Sequence, residues 1–239
     1  MATKKLQVTL IIPTMNEIEG MKWFMPQLKR EWYDELIVVD GGSTDGTIEY
    51  CQKNNLPLLI QSGKGLPNAL DEAFKRSTKE IIVTITPDGN SLPEFIPPSV
   101  EKIRQGYDLV IASRYLDKAK SYDDDLFTGL GNKIFTMMIN SLFGGRYTDT
   151  LVGFRTYRRD AIERMRLYDQ DKQGWLKKRY FLMNSWETGS SIRAAKLKLN
   201  VCEIPVDEPK RIGGIRKMSV VKNGIGVLLQ ILDEFVKGK

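Results

Sequence analysis

Short apolar segments that end in clusters of acidic, amide and glycine residues constrain the fold of this chain more than any other feature. Residues 8–12 form the first segment, which is closed by Pro13-Thr14-Met15-Asn16-Glu17. Residues 35–39 form the second, which is closed by Asp40-Gly41-Gly42-Ser43-Thr44-Asp45-Gly46-Thr47. Three further β-rich segments follow at residues 56–60, 81–86 and 109–113. Stretches of helical length separate all of these segments, and this alternation predicts an α/β fold with a mostly parallel sheet and helices on both faces.

The helices of the first half are predicted at residues 19–29, 47–54, 66–78 and 95–105. The second half is predicted to hold a polar loop at 117–125, an amphipathic helix at 130–143, a basic and mainly helical stretch at 155–178, a helix at 187–197, a strand at 201–206 and an amphipathic segment at 219–236. The helix at 130–143 fits either a core element or a contact with a membrane or a lipid tail, because its methionines suit an adaptable apolar contact.

The two polar clusters indicate a ligand site. In an open α/β sheet, ligands bind beyond the carboxyl ends of the strands, where both clusters stand. Their glycines let the backbone approach a ligand closely and free N–H groups for phosphate or ribose oxygens. The pattern therefore favours nucleotide recognition. The alternative is a pair of ordinary strand-to-helix turns, with Asp45 or Thr47 as a helix cap.

Composition narrows the chemistry. The 239 residues include 41% hydrophobic and 28% charged residues, which is typical of a globular domain. The chain contains no histidine, so a histidine base, a Ser-His-Asp triad and a histidine-bound metal are excluded.

The net charge of +6 lies mostly in the second half of the chain and favours phosphates or an acidic membrane face as partners. Nucleic acid is not expected as a partner, since no nucleic-acid-binding motif accompanies the charge. The two cysteines and the absence of a signal or membrane-spanning stretch lead us to expect a cytoplasmic protein.

The two clusters resemble the P-x-x-N-E and D-x-x-S-x-D-G-T turns of the inverting family-2 glycosyltransferases. The resemblance implies a GT-A fold in one domain over residues 1–218, followed by an amphipathic helix over 219–239. Residues 1–115 would be the nucleotide-binding half and residues 116–218 the acceptor half. The nucleotide-binding residues that it implies in the two turns are Pro13, Asn16, Glu17, Asp40, Gly42, Ser43 and Asp45.

Two further segments of the first half resemble family motifs. Gly63 and Lys64 precede a helix, resemble a segment that closes over the nucleotide, and do not have P-loop spacing. Thr86-Pro87-Asp88 stands where the family has D-x-D, so Pro87 and Asp88 are implied at the nucleotide. Asp88 and the Asn90 carbonyl oxygen would ligate Mg²⁺ or Mn²⁺, which offsets the diphosphate charge. Thr86 cannot supply the first carboxylate, and a metal-free turn is the alternative reading.

The acceptor-side motifs resemble those of polyprenyl- and dolichyl-phosphate sugar synthases. Arg114 is expected to grip a phosphate and Asp149 to orient the acceptor or its cation partner, with an ordinary ion pair between the two as the alternative. Glu187 fits either an acidic acceptor residue or a charge at the start of a helix. Lys133 is the nearest cation to a position where such synthases carry arginine. Arg211, Arg216 and Lys217 lie on a glycine-bearing loop that would clamp the donor or lipid phosphate, unless that loop is merely solvated.

The expected reaction is transfer of a hexose from a GDP- or UDP-sugar to a polyprenyl phosphate at an anionic membrane surface. The implied catalytic residues are Asp88, Arg114, Asp149, Glu187 and Arg211. An ionised phosphate needs no strong base, which agrees with the absence of histidine. The alternatives are a glycan hydroxyl acceptor, with Asp149 or Glu187 as base, and a non-catalytic nucleotide-sugar binding protein. Association with a second copy of the chain is left open. The central expectation is that Asp40, Asp88 and Arg211 surround one diphosphate.

Overall fold

The computed structural model describes residues 5–168, 184–213 and 219–238. Its strands are β1 (Val8–Thr14), β2 (Glu35–Asp40), β3 (Leu58–Ile60), β4 (Ile81–Thr84), β5 (Leu109–Ser113), β6 (Arg155–Arg158) and β7 (Val201–Pro205). Its described helices are α1 (Ile18–Phe24), α2 (Thr47–Lys53), α3 (Leu66–Arg76), α4 (Ile96–Arg104), α5 (Leu126–Phe143), α6 (Arg159–Met165), α7 (Trp186–Lys196) and α8 (Val220–Val236).

One seven-stranded sheet joins both halves of the chain in the order β3-β2-β1-β4-β6-β5-β7. Every neighbouring pair is parallel except the two that include β6, which runs antiparallel to β4 and β5. The carboxyl ends of β4, β5 and β7 and the start of β6 therefore meet at one edge. The expectation of a mostly parallel α/β sheet is confirmed.

Alternating strand residues divide the core between the two faces of the sheet. Ile11 and Ile37 pack on the side of α3, whereas Leu10 and Val38 pack on the side of α1 and α4. Successive side chains of a strand point to opposite faces, so apolar runs such as these are buried on both sides. This burial explains why β1 is apolar along nearly its whole length.

The prediction of a mainly helical stretch from residue 155 is wrong for its first four residues. Arg155–Arg158 form β6, with Thr156 opposite Val83 of β4 and Val110 of β5. Helix α6 begins at the very next residue, so no turn signal separates strand from helix. A four-residue strand is too short for periodicity to separate it from the helix that follows. The remainder of that stretch lies in part outside the described residues.

Helix α5 begins four residues earlier than residue 130 because a capping box starts it. The Asp125 side chain accepts a hydrogen bond from the Thr128 backbone N–H at 2.8 Å. The Thr128 hydroxyl oxygen in turn accepts one from the Asp125 N–H at 2.9 Å. This reciprocal pair satisfies N–H groups that the first helical turn leaves without partners. Predicting the helix from its apolar residues alone missed this polar start.

Helix α8 packs against α5 and α7 and thereby reaches the ligand edge of the sheet. Phe235 of α8 meets Phe143 of α5 edge to face, with ring centroids 6.5 Å apart. Gln230 donates from Nε2 to the Ser185 carbonyl oxygen at 3.0 Å, directly before α7. The sequence predicts an amphipathic helix at this place, and one face of α8 is buried on the protein. No helix of the described residues has both the length and the hydropathy to cross a bilayer.

A buried carboxylate fastens α8 to α7. Glu234 lies 2.6 Å from Nη2 of Arg193 and 2.9 Å from Nζ of Lys196. Burial alone would raise the pKa of Glu234, but the two cations and their hydrogen bonds outweigh it and hold that pKa below its usual value. The ionised form is therefore bound more favourably in the folded chain than in the unfolded one.

We expect Glu234→Gln to lower the free energy of unfolding at pH 7 by about 3 kcal/mol, because two buried cations lose their partner. A depressed pKa stabilises the fold above the unfolded value, near 4.5, and this stabilisation is lost as pH falls through the folded pKa. The wild-type advantage in urea denaturation should thus be full at pH 7 and shrink below about pH 4.5. Asp233→Asn is the matched control, since its pair with Lys237 is at the surface, and its effect should stay within about 0.5 kcal/mol. An equal effect of the two substitutions would contradict a stabilising role of the Glu234 ion pairs.

Candidate functional site

A cavity of about 430 Å³ opens at the edge where β4, β5 and β7 end. We call it the central cavity. Its polar side carries Asp88, Asn90, Arg114, Glu187 and Arg211, and its apolar side carries Phe127, Phe135, Leu151, Val152, Val220 and Val227. Five sequence-derived site residues thus share one cavity, although they come from distant parts of the chain. Helix α8 supplies part of the wall.

Asp88 lies at the polar end of the central cavity, in the turn after β4. Its Oδ1 accepts a hydrogen bond from the Thr86 hydroxyl at 3.1 Å, and its Oδ2 lies 3.0 Å from Nη2 of Arg211. Burial raises the pKa of Asp88 above its usual value, although the Arg211 charge opposes the rise. Asp88 and Arg211 therefore form a partly buried ion pair. Thr86, which replaces the first aspartate of D-x-D, holds the Asp88 carboxylate through its hydroxyl.

The segment that carries Arg211 lies directly on the Asp88 turn. The Ile212 N–H donates to the Asp88 carbonyl oxygen at 2.8 Å. Gly89 has a φ of +85°, and a Cβ there would lie 2.5 Å from Ile212, so this position needs glycine. The second nitrogen of the Arg211 guanidinium, Nη1, lies 3.6 Å from Oε1 of Glu17. Arg211 thus bridges the first polar cluster and the Asp88 turn.

Arg114 and Asp149 form the ion pair that the sequence left as an alternative. Arg114 binds both Asp149 oxygens, Nε at 2.7 Å and Nη2 at 3.1 Å, and its Nη1 also lies 3.3 Å from Glu208 and 3.8 Å from Asp124. Burial would raise the pKa of Asp149, but the Arg114 charge and hydrogen bonds hold it below its usual value. The ion pair is therefore confirmed, and a contact of Arg114 with a phosphate stays a prediction, since Arg114 also lines the central cavity.

Asp149 organises the loop that follows it. Besides binding Arg114, its Oδ1 accepts the N–H groups of Leu151 and Val152 at 3.1 and 3.2 Å. The side chain is fully buried. Asp149 thus orients its cation partner Arg114, one of the two roles expected of it, and its role as a base or as an acceptor contact stays a prediction.

Glu187 faces the central cavity from the first turn of α7. The Ser185 hydroxyl, which caps this helix, donates to Oε2 of Glu187 at 2.5 Å. Across the cavity, a Cβ on Gly153 would lie 3.8 Å from Oε1 of Glu187. The reading of Glu187 as a charge at the start of a helix is confirmed. Its place on the cavity wall leaves the contact with an acceptor a prediction.

The two polar turns are joined to each other. The Asn16 N–H donates to the Ser43 hydroxyl at 2.7 Å, and the Asn16 side-chain oxygen accepts from the Thr44 N–H at 2.7 Å. Asn16 has a left-handed φ of +54°, a conformation that asparagine tolerates well. Asp45 accepts from the Ile18 N–H at 3.1 Å, at the start of α1. The two family motifs thus build one double turn at the ends of β1 and β2.

Asp40 lies inside this double turn and not in the central cavity. Its carboxylate is fully buried and accepts hydrogen bonds from the Gly42 N–H, from the N–H and the hydroxyl of Ser43, and from the Thr14 hydroxyl, at 2.6–2.8 Å. The expectation that Asp40, Asp88 and Arg211 surround one diphosphate is therefore wrong for Asp40. A short acidic side chain before two glycines closes its own turn, whereas Glu17 is the member of the double turn that reaches Arg211.

The other residues that were predicted to bind the nucleotide lie outside the central cavity. Pro13 is buried within β1, and the Pro87 carbonyl lies 2.1 Å from where a Gly20 Cβ would stand. Gly63 packs against Asn68, and its N–H faces Glu72 at 3.4 Å. Lys64 is exposed. None of these four residues lines the central cavity.

Of the predicted phosphate contacts, Lys133 lies outside the central cavity. Lys133 lines a second cavity of about 490 Å³, on α5, together with Tyr115 and Tyr147. The placement of Lys133 in the same site as Arg211 is therefore corrected. Helical periodicity alone could not show which side of α5 faces the sheet. Arg216 and Lys217 lie outside the described residues.

The charge around the central cavity was not apparent from the sequence. Five carboxylates line it, those of Asp88, Asp123, Asp124, Glu187 and Glu208, against the two arginines Arg114 and Arg211. Asp123 and Asp124 belong to a stretch that reads as an irregular loop. Glu208 follows β7, and its N–H donates to the Lys120 carbonyl oxygen at 2.9 Å. Within the described part of the chain, no three acidic or cysteine side chains are arranged to hold a metal by themselves.

Comparisons with known proteins agree with this fold and this motif order. The chain is 28% identical to the glycosyltransferase AglJ of Haloferax volcanii, over 67% of this chain and 53% of the other. It is 26% identical to the undecaprenyl-phosphate mannosyltransferase of Micrococcus luteus, over 90% and 88%. The chain spans about half the length of the first two curated relatives that it matches.

Among solved structures, the fold is similar to that of glucosyl-3-phosphoglycerate synthase from Mycobacterium tuberculosis in complex with Mn²⁺, UDP-glucose and phosphoglyceric acid. The TM-score is 0.64 at 19% identity, over 97% of this chain and 80% of the other. This likeness confirms the expected GT-A fold. The profile of glycosyl transferase family 2 matches residues 9–166, more than half of the chain. On this match, the chain belongs to glycosyl transferase family 2.

Proposed function

We propose that this chain transfers a hexose from a nucleotide sugar to a polyprenyl phosphate, with inversion at the anomeric carbon. One observation carries the proposal: the central cavity has a charged end at Asp88 and Arg211 and an apolar side at Phe127, Phe135 and Val220. A lipid phosphate has the same division, with an anionic head and a hydrocarbon tail. The undecaprenyl-phosphate mannosyltransferase of M. luteus, which matches nearly the whole chain, supports this acceptor class.

The reaction follows from the charges on the two substrates. An acceptor phosphate oxygen attacks the anomeric carbon, the bond from that carbon to the donor diphosphate breaks, and a nucleoside diphosphate leaves. A phosphate is already ionised near neutral pH, so no side chain has to remove a proton. The work of the protein is then to align the two phosphates and to stabilise the departing diphosphate charge. Arg211, which lies at the charged end of the central cavity, is placed for this role.

The surplus of carboxylates around the central cavity favours a divalent cation with the donor. Asp88 and the Asn90 carbonyl are hard oxygen ligands, which suits Mg²⁺ or Mn²⁺. One carboxylate and one amide are too few to hold the ion alone, but Mg²⁺ is commonly bound by one or two carboxylates together with substrate phosphates. The residues therefore fit an ion that arrives with a diphosphate. When bound, it would act as a Lewis acid on the leaving group.

We further propose that the chain works on the cytoplasmic face of a membrane, through two apolar stripes. The stripe of α5 consists of Phe127, Leu130, Ile134 and Met137, and that of α8 consists of Val221, Ile225, Leu228, Leu232 and Phe235. These residues are exposed, and Phe127 also stands at the central cavity. Lys133 and Lys222 are exposed on the same two helices, which suits anionic lipid. A lipid acceptor could then enter the cavity from the bilayer surface.

We expect the double variant Leu130→Glu/Val221→Glu to lose binding to vesicles of phosphatidylglycerol and phosphatidylcholine by at least about tenfold, since each buried apolar side chain contributes about 1.5–3 kcal/mol. Sedimentation with vesicles measures the loss. Ile60→Glu is the matched control, because Ile60 is 49% exposed on the edge strand β3. Unchanged sedimentation of the double variant would reject the membrane-facing role of the stripes.

Glu187 supports a second candidate, a family-2 transferase that acts on a glycan hydroxyl. It is a carboxylate on the cavity wall, and it is positioned to accept a proton from an acceptor hydroxyl. The two candidates differ in what Glu187→Gln does. Turnover with a hydroxyl acceptor would fall by about 10²–10⁴-fold, the usual contribution of a general base. Turnover with a phosphate acceptor would persist.

The direct test of function is release of a nucleoside diphosphate when polyprenyl phosphate is added. A panel of UDP- and GDP-sugars should be assayed with Mn²⁺ and a short-chain polyprenyl phosphate, and the anomeric configuration of the product determined. We expect one donor to give an acceptor-dependent release and an inverted lipid-linked sugar. Release only with a glycan acceptor would favour the second candidate. Donor binding without turnover on any acceptor would reject both.

A further inference from the structure

Arg155 is the one arginine of the described residues that is fully buried. It stands six residues after Asp149 and begins β6. Its guanidinium makes four hydrogen bonds, and all four partners are uncharged oxygens. A charged group taken out of water without a carboxylate partner costs several kcal/mol. Unfavourable burial of this kind tends to occur at functional sites. The groups that the guanidinium joins are therefore candidates for a functional role.

The guanidinium connects two walls of the central cavity. Nε donates to the Val152 carbonyl at 2.9 Å and Nη2 to the Thr150 carbonyl at 2.8 Å. We call residues 151–153, which line the cavity, the acceptor wall. Nη1 donates to the hydroxyls of Ser190 and Ser191 on α7, both at 2.9 Å. Arg155 therefore ties the acceptor wall to the helix that begins beside Glu187.

Further hydrogen bonds hold the acceptor wall and the first turn of α7. The two serine hydroxyls also donate to the Glu187 carbonyl oxygen, at 3.2 and 3.0 Å. Thr84 of β4 donates to the Gly153 carbonyl at 3.0 Å. The N–H groups of Leu151 and Val152 donate to Asp149, and the carbonyls of Val152 and Gly153 accept from Arg155 and Thr84. Arg155 is the element that links this loop to α7.

We propose that Arg155 is a positioning residue, which sets the width of the central cavity between the acceptor wall and the first turn of α7 and so places the acceptor. The expected effect on acceptor kinetics rests on the proposed function, whereas the link between the acceptor wall and α7 does not. A planar fork of donors can serve the loop and the helix at once, whereas a lysine ammonium cannot span both. Displacing reacting groups by about 1 Å can cost about 100-fold in rate.

The test uses Arg155→Lys and, because that variant risks misfolding, the milder Ser190→Ala/Ser191→Ala. We expect kcat/KM for the acceptor to fall about 100-fold in the first and about tenfold in the second, with the Kd for the nucleoside diphosphate unchanged within twofold. Hydrogen exchange of the peptide 150–154 should rise in both variants, and that of residues 40–47 should not. Arg158→Gln is the matched control from the same strand, since Arg158 is partly exposed and pairs with Asp108 and Asp160, not with the wall.

The kinetics and the hydrogen exchange each give outcomes that decide the question. Wild-type acceptor kinetics in the serine variant, or a parallel loss of nucleotide affinity in both variants, would overturn the positioning role. If the wild-type chain transfers sugar to no acceptor, the proposed function fails and hydrogen exchange alone decides. Unchanged exchange at 150–154 would then overturn this inference, and a local rise would uphold it.

Discussion

Replacing Asp88 with asparagine is expected to lower kcat by at least about a thousandfold. Asparagine keeps the size of the side chain and its hydrogen bond with Thr86, but it removes the one carboxylate of the D-x-D position. A metal Lewis acid contributes several kcal/mol to such a transition state, and each 1.36 kcal/mol is a factor of ten in rate. Asp88→Asn also removes the partner of Arg211 at 3.0 Å.

The fold should survive this substitution. Burial raises the pKa of Asp88, so the folded chain already disfavours the charge that asparagine removes. Thermal unfolding and circular dichroism check this point, and kcat is measured at saturating Mn²⁺ and donor. Asp117→Asn is the same chemical change at an exposed position and should leave kcat unchanged. A rate for Asp88→Asn within tenfold of wild type would exclude Asp88 from the reaction.

Most of the sheet could be predicted because adjacent residues are enough to identify most of its strands. Buried parallel strands are apolar throughout, and each is closed by a polar turn, so β1 and β2 were recognisable from adjacent residues. Strand β6 was not, because its four residues acquire their identity from β4 and β5 on either side. Helix α5 lay between these cases. Its apolar part was visible, but its start depends on a side-chain hydrogen bond at Asp125.

The candidate site divides in the same way. The carboxyl-edge rule brought Asp88 and Arg211 to one place although they are far apart in sequence. It could not show that Asp40 turns inward, because that depends on hydrogen bonds within its own turn. It could not decide between phosphate and carboxylate for Arg114 either, since Glu208 joins that pair from another strand end. The role of Arg155 could not be predicted from the sequence, because it depends on the hydroxyls of Ser190 and Ser191, which lie far along the chain and face its guanidinium.

Substituting Arg211 with glutamine is expected to change two measurements in opposite directions. In the structure, the guanidinium stands against Asp88 and Glu17, at 3.0 and 3.6 Å, where a divalent cation would also be attracted. Two cations within a few ångströms of one carboxylate repel each other by several kcal/mol in a partly buried site. Wild-type Asp88 should therefore bind Mn²⁺ weakly until a diphosphate draws the guanidinium or the ion toward itself.

In Arg211→Gln, we expect Mn²⁺ alone to bind at least about tenfold more tightly than in wild type, because the competing charge is gone. Electron paramagnetic resonance of Mn²⁺ without nucleotide measures this affinity. The same substitution should lower kcat by about 100-fold, since the departing diphosphate loses a charge-assisted contact. Lys210→Gln removes an exposed charge from the neighbouring position and should change neither the Mn²⁺ affinity nor kcat.

A lower kcat with unchanged Mn²⁺ affinity would leave Arg211 as a phosphate ligand only. Tighter Mn²⁺ binding with a normal rate would make it only a counter-ion for Asp88. Both changes together would show that one guanidinium neutralises Asp88 before the donor arrives and the diphosphate afterwards.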